Sequence, residues 1–425
     1  MKKKMVNGLI ILVLVSGLTA CLDRGTLTLP TSGASFIVSE TPQGSVTPTP
    51  TASIKITETP QESDYPNPDD YPNPSDNPRP TKDKNSTEVP EQPSLSLMEV
   101  TLPAGYGAES SWIDIYFTDP TSPLASQETG GVDEKLVQSI DSARLTLDVA
   151  IYNINLPSVR DAIIRAHERG VQVRMVMESD NRDNSATQAL EDAGVPILGD
   201  RREGLMHDKF VVIDRSEIWL GSMNFTYSGT YEDNNNLIHI RSPRIAENYT
   251  KEFDEMFVDD KFGDDVVPAT PNQVTEVEGT VIKTYFSPDD GVAAHILNLL
   301  NHAKKSIYFM AYSFTSDELG AIIREKAAEG LTIAGVMDEE QVRSNIGTEF
   351  EPFVQTKLDV FLDGNEGQMH HKVMIIDSKI VITGSYNFSS SAETRNDENV
   401  IFIYSPEIAK LFMQEFDKVN TQTQR

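Results

Sequence analysis

One motif occurs twice in this 425-residue chain, in a single register. Met206-His207-Asp208-Lys209 runs through an apolar stretch to Asp214 and then to Gly221-Ser222-Met223-Asn224. Met369-His370-His371-Lys372 runs in the same way to Asp377 and then to Gly384-Ser385-Tyr386-Asn387. Matching positions are 163 residues apart throughout, and the register persists as far as Ser242-Pro243 and Ser405-Pro406. A lone His-x-Lys-x4-Asp arises by chance in a chain of this length, but a second copy in register does not. The repeat predicts two equivalent halves.

The chemistry is legible in each copy. Val373 to Ile376 reads as a buried strand, so a side-chain period of two puts His370 and Lys372 on one face and His371 on the other. A turn at Asp377-Ser378-Lys379 leads into a second apolar run, Ile380 to Thr383, which delivers Ser385 and Asn387 at its far end. Those groups suit a bound phosphate. Lysine supplies charge, serine and asparagine donate hydrogen bonds, and histidine attacks phosphorus or moves a proton.

Around each motif, strand and helix signals alternate. Leu145 to Ile151 and Val171 to Met177 flank a helix that Asn155 is expected to cap and Gly170 to stop. Ser306 to Tyr312 and Leu331 to Met337 repeat the order, with Gly330 as the stop. Each half closes on a helix opened by Ser-Pro, Ser242 to Met256 and Ser405 to Asp417. Two α/β/α layered halves follow, with helices covering a sheet in each. The weakly patterned stretch Gly263 to Thr280 is the expected connection. The halves are drawn at 105–270 and 271–425.

The N-terminal quarter is different in kind. Met1-Lys2-Lys3-Lys4 and an apolar run from Gly8 to Ala20 read as a secretory signal, too short to span a bilayer. Its ending, Leu18-Thr19-Ala20-Cys21, resembles the lipobox of bacterial lipoproteins, which implies acylation of Cys21 and anchoring to the cell membrane on its outer side. Residues 22–104 then read as a tether, since a segment rich in Pro, Thr and Ser cannot bury enough apolar area to offset its ordering entropy. Cys21 is the only cysteine, which excludes an internal disulfide and a cysteine-built metal site. With 36 Lys+Arg against 65 Asp+Glu, a formal net charge of −29 argues against a general electrostatic grip on a polyanion.

The paired His-x-Lys-x4-Asp with Gly-Ser-x-Asn resembles the phospholipase D superfamily, over residues from about 105 to the end. The resemblance implies two halves about a pseudo-twofold, with both motifs meeting in one active site at their interface. It also implies a phosphodiesterase that works through a phosphohistidine, with no metal or other cofactor. On that resemblance His207 and His370 are the nucleophile and acid/base pair, and Lys209, Lys372, Asn224 and Asn387 hold the phosphate oxygens. Ser222 and Ser385 line the phosphate, while Asp214 and Asp377 fix local structure.

The family's acidic residue thirteen positions after the motif serine, which holds the histidine ring, is Glu398 in the second copy but Asn235 in the first. Pairing within each copy sets Glu398 against His370 and Asn235 against His207. A carboxylate favours imidazolium and an amide does not, so this pairing makes His370 the proton donor and His207 the nucleophile.

The motifs specify a phosphodiester and leave its substituents open. A phospholipid substrate, cleaved to phosphatidic acid, fits the acidic composition and the anchor. A nonspecific nuclease of the same superfamily is the alternative, and a silent binding or scaffold module is a third reading that intact motifs disfavour. No protein partner is expected.

Overall fold

The computed structural model describes residues 95–423. Cys21, the signal segment and the tether as far as residue 94 lie outside the described residues.

In the first half, β1 (Met98–Leu102), β2 (Gly105–Glu109), β3 (Ile113–Thr118), β4 (Thr146–Ile151), β5 (Gln172–Met177), β6 (Ile197–Gly199), β7 (Lys209–Ile213), β8 (Glu217–Gly221) and β9 (Asn236–Arg241) make one sheet. Its order is β1-β2-β3-β9-β8-β7-β4-β5-β6. The helices are α1 (Asp133–Ser142), α2 (Pro157–Glu168), α3 (Ser185–Asp192), α4 (Tyr227–Tyr231) and α5 (Pro243–Phe257).

The second half has β10 (Val274–Val277), β11 (Thr280–Ser287), β12 (Ser306–Ala311), β13 (Thr332–Met337), β14 (Asp359–Leu362), β15 (Lys372–Ile376), β16 (Ile380–Gly384) and β17 (Glu398–Tyr404). Its sheet order is β10-β11-β17-β16-β15-β12-β13-β14. Its helices are α6 (Val292–His302), α7 (Asp317–Ala328), α8 (Glu339–Ser344), α9 (Phe350–Gln355), α10 (Ser390–Thr394) and α11 (Pro406–Thr421).

From β3 and from β11 onward the two orders are the same. In each half the motif strand lies at the sheet's centre, antiparallel to the first strand of a parallel pair joined by a helix. Both motif strands are buried along their whole length, and the period of two sends alternate residues to different cores. Val373, Ile375, Val381, Ile401 and Ile403 join a core shared with the first half. Met374, Ile376, Ile382, Val400 and Phe402 face a second core with α6, α7 and α9.

Helices α5 and α11 build the contact between the halves. Tyr249 of α5 packs edge-on against Phe210 of its own half and Phe286 of the other, with centroids 5.1 and 5.0 Å apart. Phe412 of α11 meets Phe117 at 5.1 Å. Burying each such ring contributes about 2 kcal/mol, so the interface is continuous with the core.

Three local expectations change. Asn155 does not cap α2, whose N-cap is Leu156 with Pro157 opening the helix. Asn155 instead accepts the N–H of Tyr227 at 3.0 Å, because a proline at the first helical position removes one of the N–H groups a cap would serve. The connection drawn at 263–280 contains β10, an edge strand of the second sheet. The tether drawn to 104 contains β1, paired with β2, whose Val100 and Leu102 pack, partly buried, against the core of the first half.

Candidate active site

Each motif histidine is set in place by the backbone of the opposite half. Met206 bridges to Asp397 and Met369 to Asn234, both in parallel sense. The N–H of His207 donates to the Asp397 carbonyl, and that of His370 to the Asn234 carbonyl, each at 3.0 Å. From their own halves, Glu178 accepts the N–H of Met206 at 3.1 Å and Asp338 that of Met369 at 3.0 Å.

One residue further on, the side chains meet across the interface. His207 Nδ1 lies 2.8 Å from Glu398 Oε2, and His370 Nδ1 lies 2.9 Å from Asn235 Oδ1. This corrects the pairing within each copy drawn above: Glu398 belongs to His207 and Asn235 to His370. The cause is the bridge geometry, since residues 207 and 398 directly follow one bridged pair while 235 and 370 directly follow the other. The Asn235 amide N–H donates to the Gly229 carbonyl at 2.9 Å, so its oxygen accepts and His370 carries its proton on Nδ1. Nε2 of His370 is left with a lone pair.

The lysines stand beside the histidines. Lys209 Nζ donates to the His207 carbonyl at 2.7 Å and Lys372 Nζ to the His370 carbonyl at 2.8 Å. Both are buried. Burial pushes Lys209 down to about 7, and burial with the charge of Lys209 pulls Lys372 well below its ordinary value. Burial and the two ammonium groups likewise hold both histidines well below theirs. Glu398 is pushed up to about 8 by burial, against the pull of Lys209. A phosphodiester anion entering here relieves the lysines' repulsion and favours protonation of a histidine.

Two tyrosines not singled out in the sequence complete the pattern. Tyr152 and Tyr312, each just past the end of the strand beside the motif strand, pack edge-on against His207 and His370 at 4.9 and 4.5 Å. Lys209 and Lys372 lie over the same rings, at 5.0 and 4.5 Å from their centroids. Their shared place after Ile151 and Ala311 was the available signal.

Ser222 and Ser385, expected on the phosphate, are fully buried and hold the partner groups instead. Ser222 Oγ donates to Asn235 Oδ1 at 2.8 Å. Ser385 Oγ accepts the N–H of Asn399 at 3.0 Å and hydrogen-bonds Glu398, which opposes in part the larger upward push of burial on that carboxyl. The preceding glycines allow this. Gly221 and Gly384 sit at φ 153° and 151°, and a Cβ there would meet the carbonyl oxygens of Asn236 and Asn399 at 2.3 and 2.1 Å. Asn224 and Asn387 are half-buried, and neither Oδ1 has a partner among the described residues.

Asp214 and Asp377 lie at the far ends of the motif strands, with φ 51° and 55°. Asp214 accepts the N–H groups of Arg144, Leu145 and Thr146. Asp377 does the same for Lys304, Lys305 and Ser306. On the face away from the catalytic pair, His371 Nε2 meets Glu415 Oε1 at 2.8 Å, and its first-half counterpart Asp208 accepts from Asn399 at 2.7 Å.

A family model described as "Cardiolipin synthase, PLD-like domain" matches residues 136–257 and 296–420. A phospholipase D of Rickettsia conorii is 32% identical over 143 residues, 34% of this chain and 71% of that protein. A mitochondrial cardiolipin hydrolase of Chlamydomonas reinhardtii is 26% identical over 175 residues, 36% of this chain and 78% of that one. In fold, the crystal structure of phosphatidylserine synthase from Haemophilus influenzae is similar at a TM-score of 0.54 and 13% identity, over 71% of this chain and 85% of that one. With the family model matching both halves, the chain belongs to the phospholipase D-like family.

Proposed function

We propose that the protein is a metal-independent phosphodiesterase of phospholipase D type, which hydrolyses the head-group ester of a phospholipid to phosphatidic acid. The observation that carries the reading is the pair of imidazoles, each with Nδ1 committed to a partner from the opposite half, beside two buried lysines.

With the phosphodiester anion bound, His370 takes up a proton on Nε2 and becomes imidazolium. Nε2 of His207 then attacks phosphorus while the bond to the head-group oxygen breaks and His370 gives that oxygen the Nε2 proton. His370 then takes a proton from water, the water oxygen bonds to phosphorus, and His207 is released. The phosphorylated ring carries positive charge, and Glu398 at its Nδ1 stabilises that charge. His207 therefore remains the nucleophile and His370 the acid/base, now because of what the intermediate needs. Lys209, Lys372, Asn224 and Asn387 hold the phosphate oxygens, so the mechanism asks for no divalent ion. Activity that falls in chelator and returns with Mg²⁺ would contradict this.

The formal charge of −29 favours lipid over nucleic acid. A phosphohistidine is resolved by whichever hydroxyl reaches it, so phosphatidylcholine with dilute ethanol should yield phosphatidylethanol beside phosphatidic acid. DNA degradation that weakens steeply with salt, with no lipid product, would move the reading to a nuclease. We further propose an extracytoplasmic protein held to the membrane through acylated Cys21. Radioactive fatty acid should label the wild type and not Cys21→Ser; label persisting in the variant would refute the anchor.

A further inference from the structure

Lys209 and Lys372 are each 1% exposed, yet neither forms an ion pair among the described residues. Each Nζ donates to the backbone carbonyl of the histidine two residues before it, at 2.7 and 2.8 Å. A buried ammonium so lightly paired is costly, and burial pulls both lysines down, Lys209 to about 7. The carboxyl groups that act the other way are Glu398 and Asp208 on Lys209, and Glu398, Asp338 and Asp233 on Lys372. Lys372 also feels the charge of Lys209.

What lies against each ammonium is a ring face. Lys209 Nζ is 5.0 Å from the ring centroid of Tyr152, and Lys372 Nζ is 4.5 Å from that of Tyr312, within the range at which an aromatic quadrupole attracts a cation. The same rings meet His207 and His370 edge-on, at interplanar angles of 68° and 67°. The strand ladder puts both tyrosines there. Ile151 pairs with Lys209 and Ala311 with Lys372. One residue on, the Tyr152 N–H donates to the Asp208 carbonyl at 3.1 Å and the Tyr312 N–H to the His371 carbonyl at 2.8 Å. Loop amides fix the two residues further: Asn181 Nδ2 donates to the Tyr152 carbonyl at 2.9 Å, and Gln341 Nε2 to the Tyr312 hydroxyl at 3.0 Å. Tyr312 follows Tyr152 by 160 residues, not 163, so the two match in their place in the fold and not in the register of the motif.

We propose that Tyr152 and Tyr312 are positioning residues, each holding its lysine's ammonium on the ring face and its histidine's imidazole against the same ring. A ring suits this place better than a carboxylate. A carboxylate in contact with Nζ would repel the incoming phosphodiester and occupy N–H groups that the phosphate needs. An aromatic ring carries no charge, favours the cation and leaves those N–H groups for phosphate oxygens. With Nδ1 held by Glu398 or Asn235, the edge-on ring also limits the imidazole's remaining rotation and keeps Nε2 in line for reaction. The inference rests on the phosphodiesterase reading above and adds how its lysines are kept charged and aimed in a buried site.

The whole protein labelled with [ε-¹³C]lysine tests it, with the two resonances assigned from Lys209→Arg and Lys372→Arg. In the wild type the Lys209 signal should titrate at about pH 7. Tyr152→Phe keeps the ring face and should leave that midpoint where it is. Successive fluorines on the ring of Tyr152→Phe keep its shape and weaken its face, so the midpoint should fall stepwise, by about half to one pH unit at full fluorination. The sign follows because the contact favours the charged form. Over the same series kcat/KM should drop at pH 7 and above, and the gap should close well below the midpoint, where every variant carries the ammonium. A midpoint indifferent to fluorination, in variants that melt near wild type, would overturn the role. The titration needs no substrate, so the two readings fail separately. A midpoint that falls with fluorination in a protein that cleaves no phosphodiester would sustain the tyrosines' role and defeat the hydrolase reading. An indifferent midpoint in an active enzyme would do the reverse.

Discussion

Glu398 of the second half lies 2.8 Å from Nδ1 of His207 in the first, so each half supplies the group that tunes the other's histidine. Glu398→Gln keeps a hydrogen bond and removes the charge that stabilises a phosphorylated imidazole. It should lower kcat about 10²-fold or more while circular dichroism and melting stay near wild type. Trapping of phosphoenzyme in a rapid quench should fall in parallel. Undiminished trapping would mean the carboxylate serves something other than the intermediate.

His207 and His370 are separable by leaving group. With a nitrophenyl phosphodiester, whose phenolate departs without a proton, His370→Ala should retain a burst of nitrophenol and His207→Ala should show none. A burst in His207→Ala with none in His370→Ala would exchange the two roles.

Burial pushes Lys209 down to about 7, which gives the free enzyme an alkaline limb. The ammonium is present below that value and lost as pH rises through it, while the phosphodiester keeps its negative charge. kcat/KM should therefore fall above about pH 7, and kcat should fall at higher pH because bound substrate favours the charged lysine. In Lys209→Arg, however slow, the limb should disappear, since guanidinium does not titrate there. An unchanged limb in that variant would assign it to another group.

Asp377 accepts three backbone N–H groups at the start of β12 and is far along its strand from His370. Asp377→Ala should cost about 2 kcal/mol in urea unfolding, with near-normal activity per folded molecule. A large loss of kcat at unchanged stability would place the aspartate in the chemistry instead.

Much of this was determined by the sequence alone. The 163-residue register established two like halves, and the period of two along Lys209–Ile213 and Lys372–Ile376 placed histidine and lysine on one face and His371 on the other. Those are local consequences of strand geometry. The partners of the histidines were decided only by the tertiary structure. Glu398 follows Ser385 by thirteen residues, as Asn235 follows Ser222, and nothing in that spacing reveals that bridges Met206–Asp397 and Asn234–Met369 cross the interface. The same holds for Asn155, whose side chain serves Tyr227 rather than its own helix, and for the serines, turned inward where glycine admits a close carbonyl. Contacts between distant segments such as these are set by packing and not by the period of any one of them.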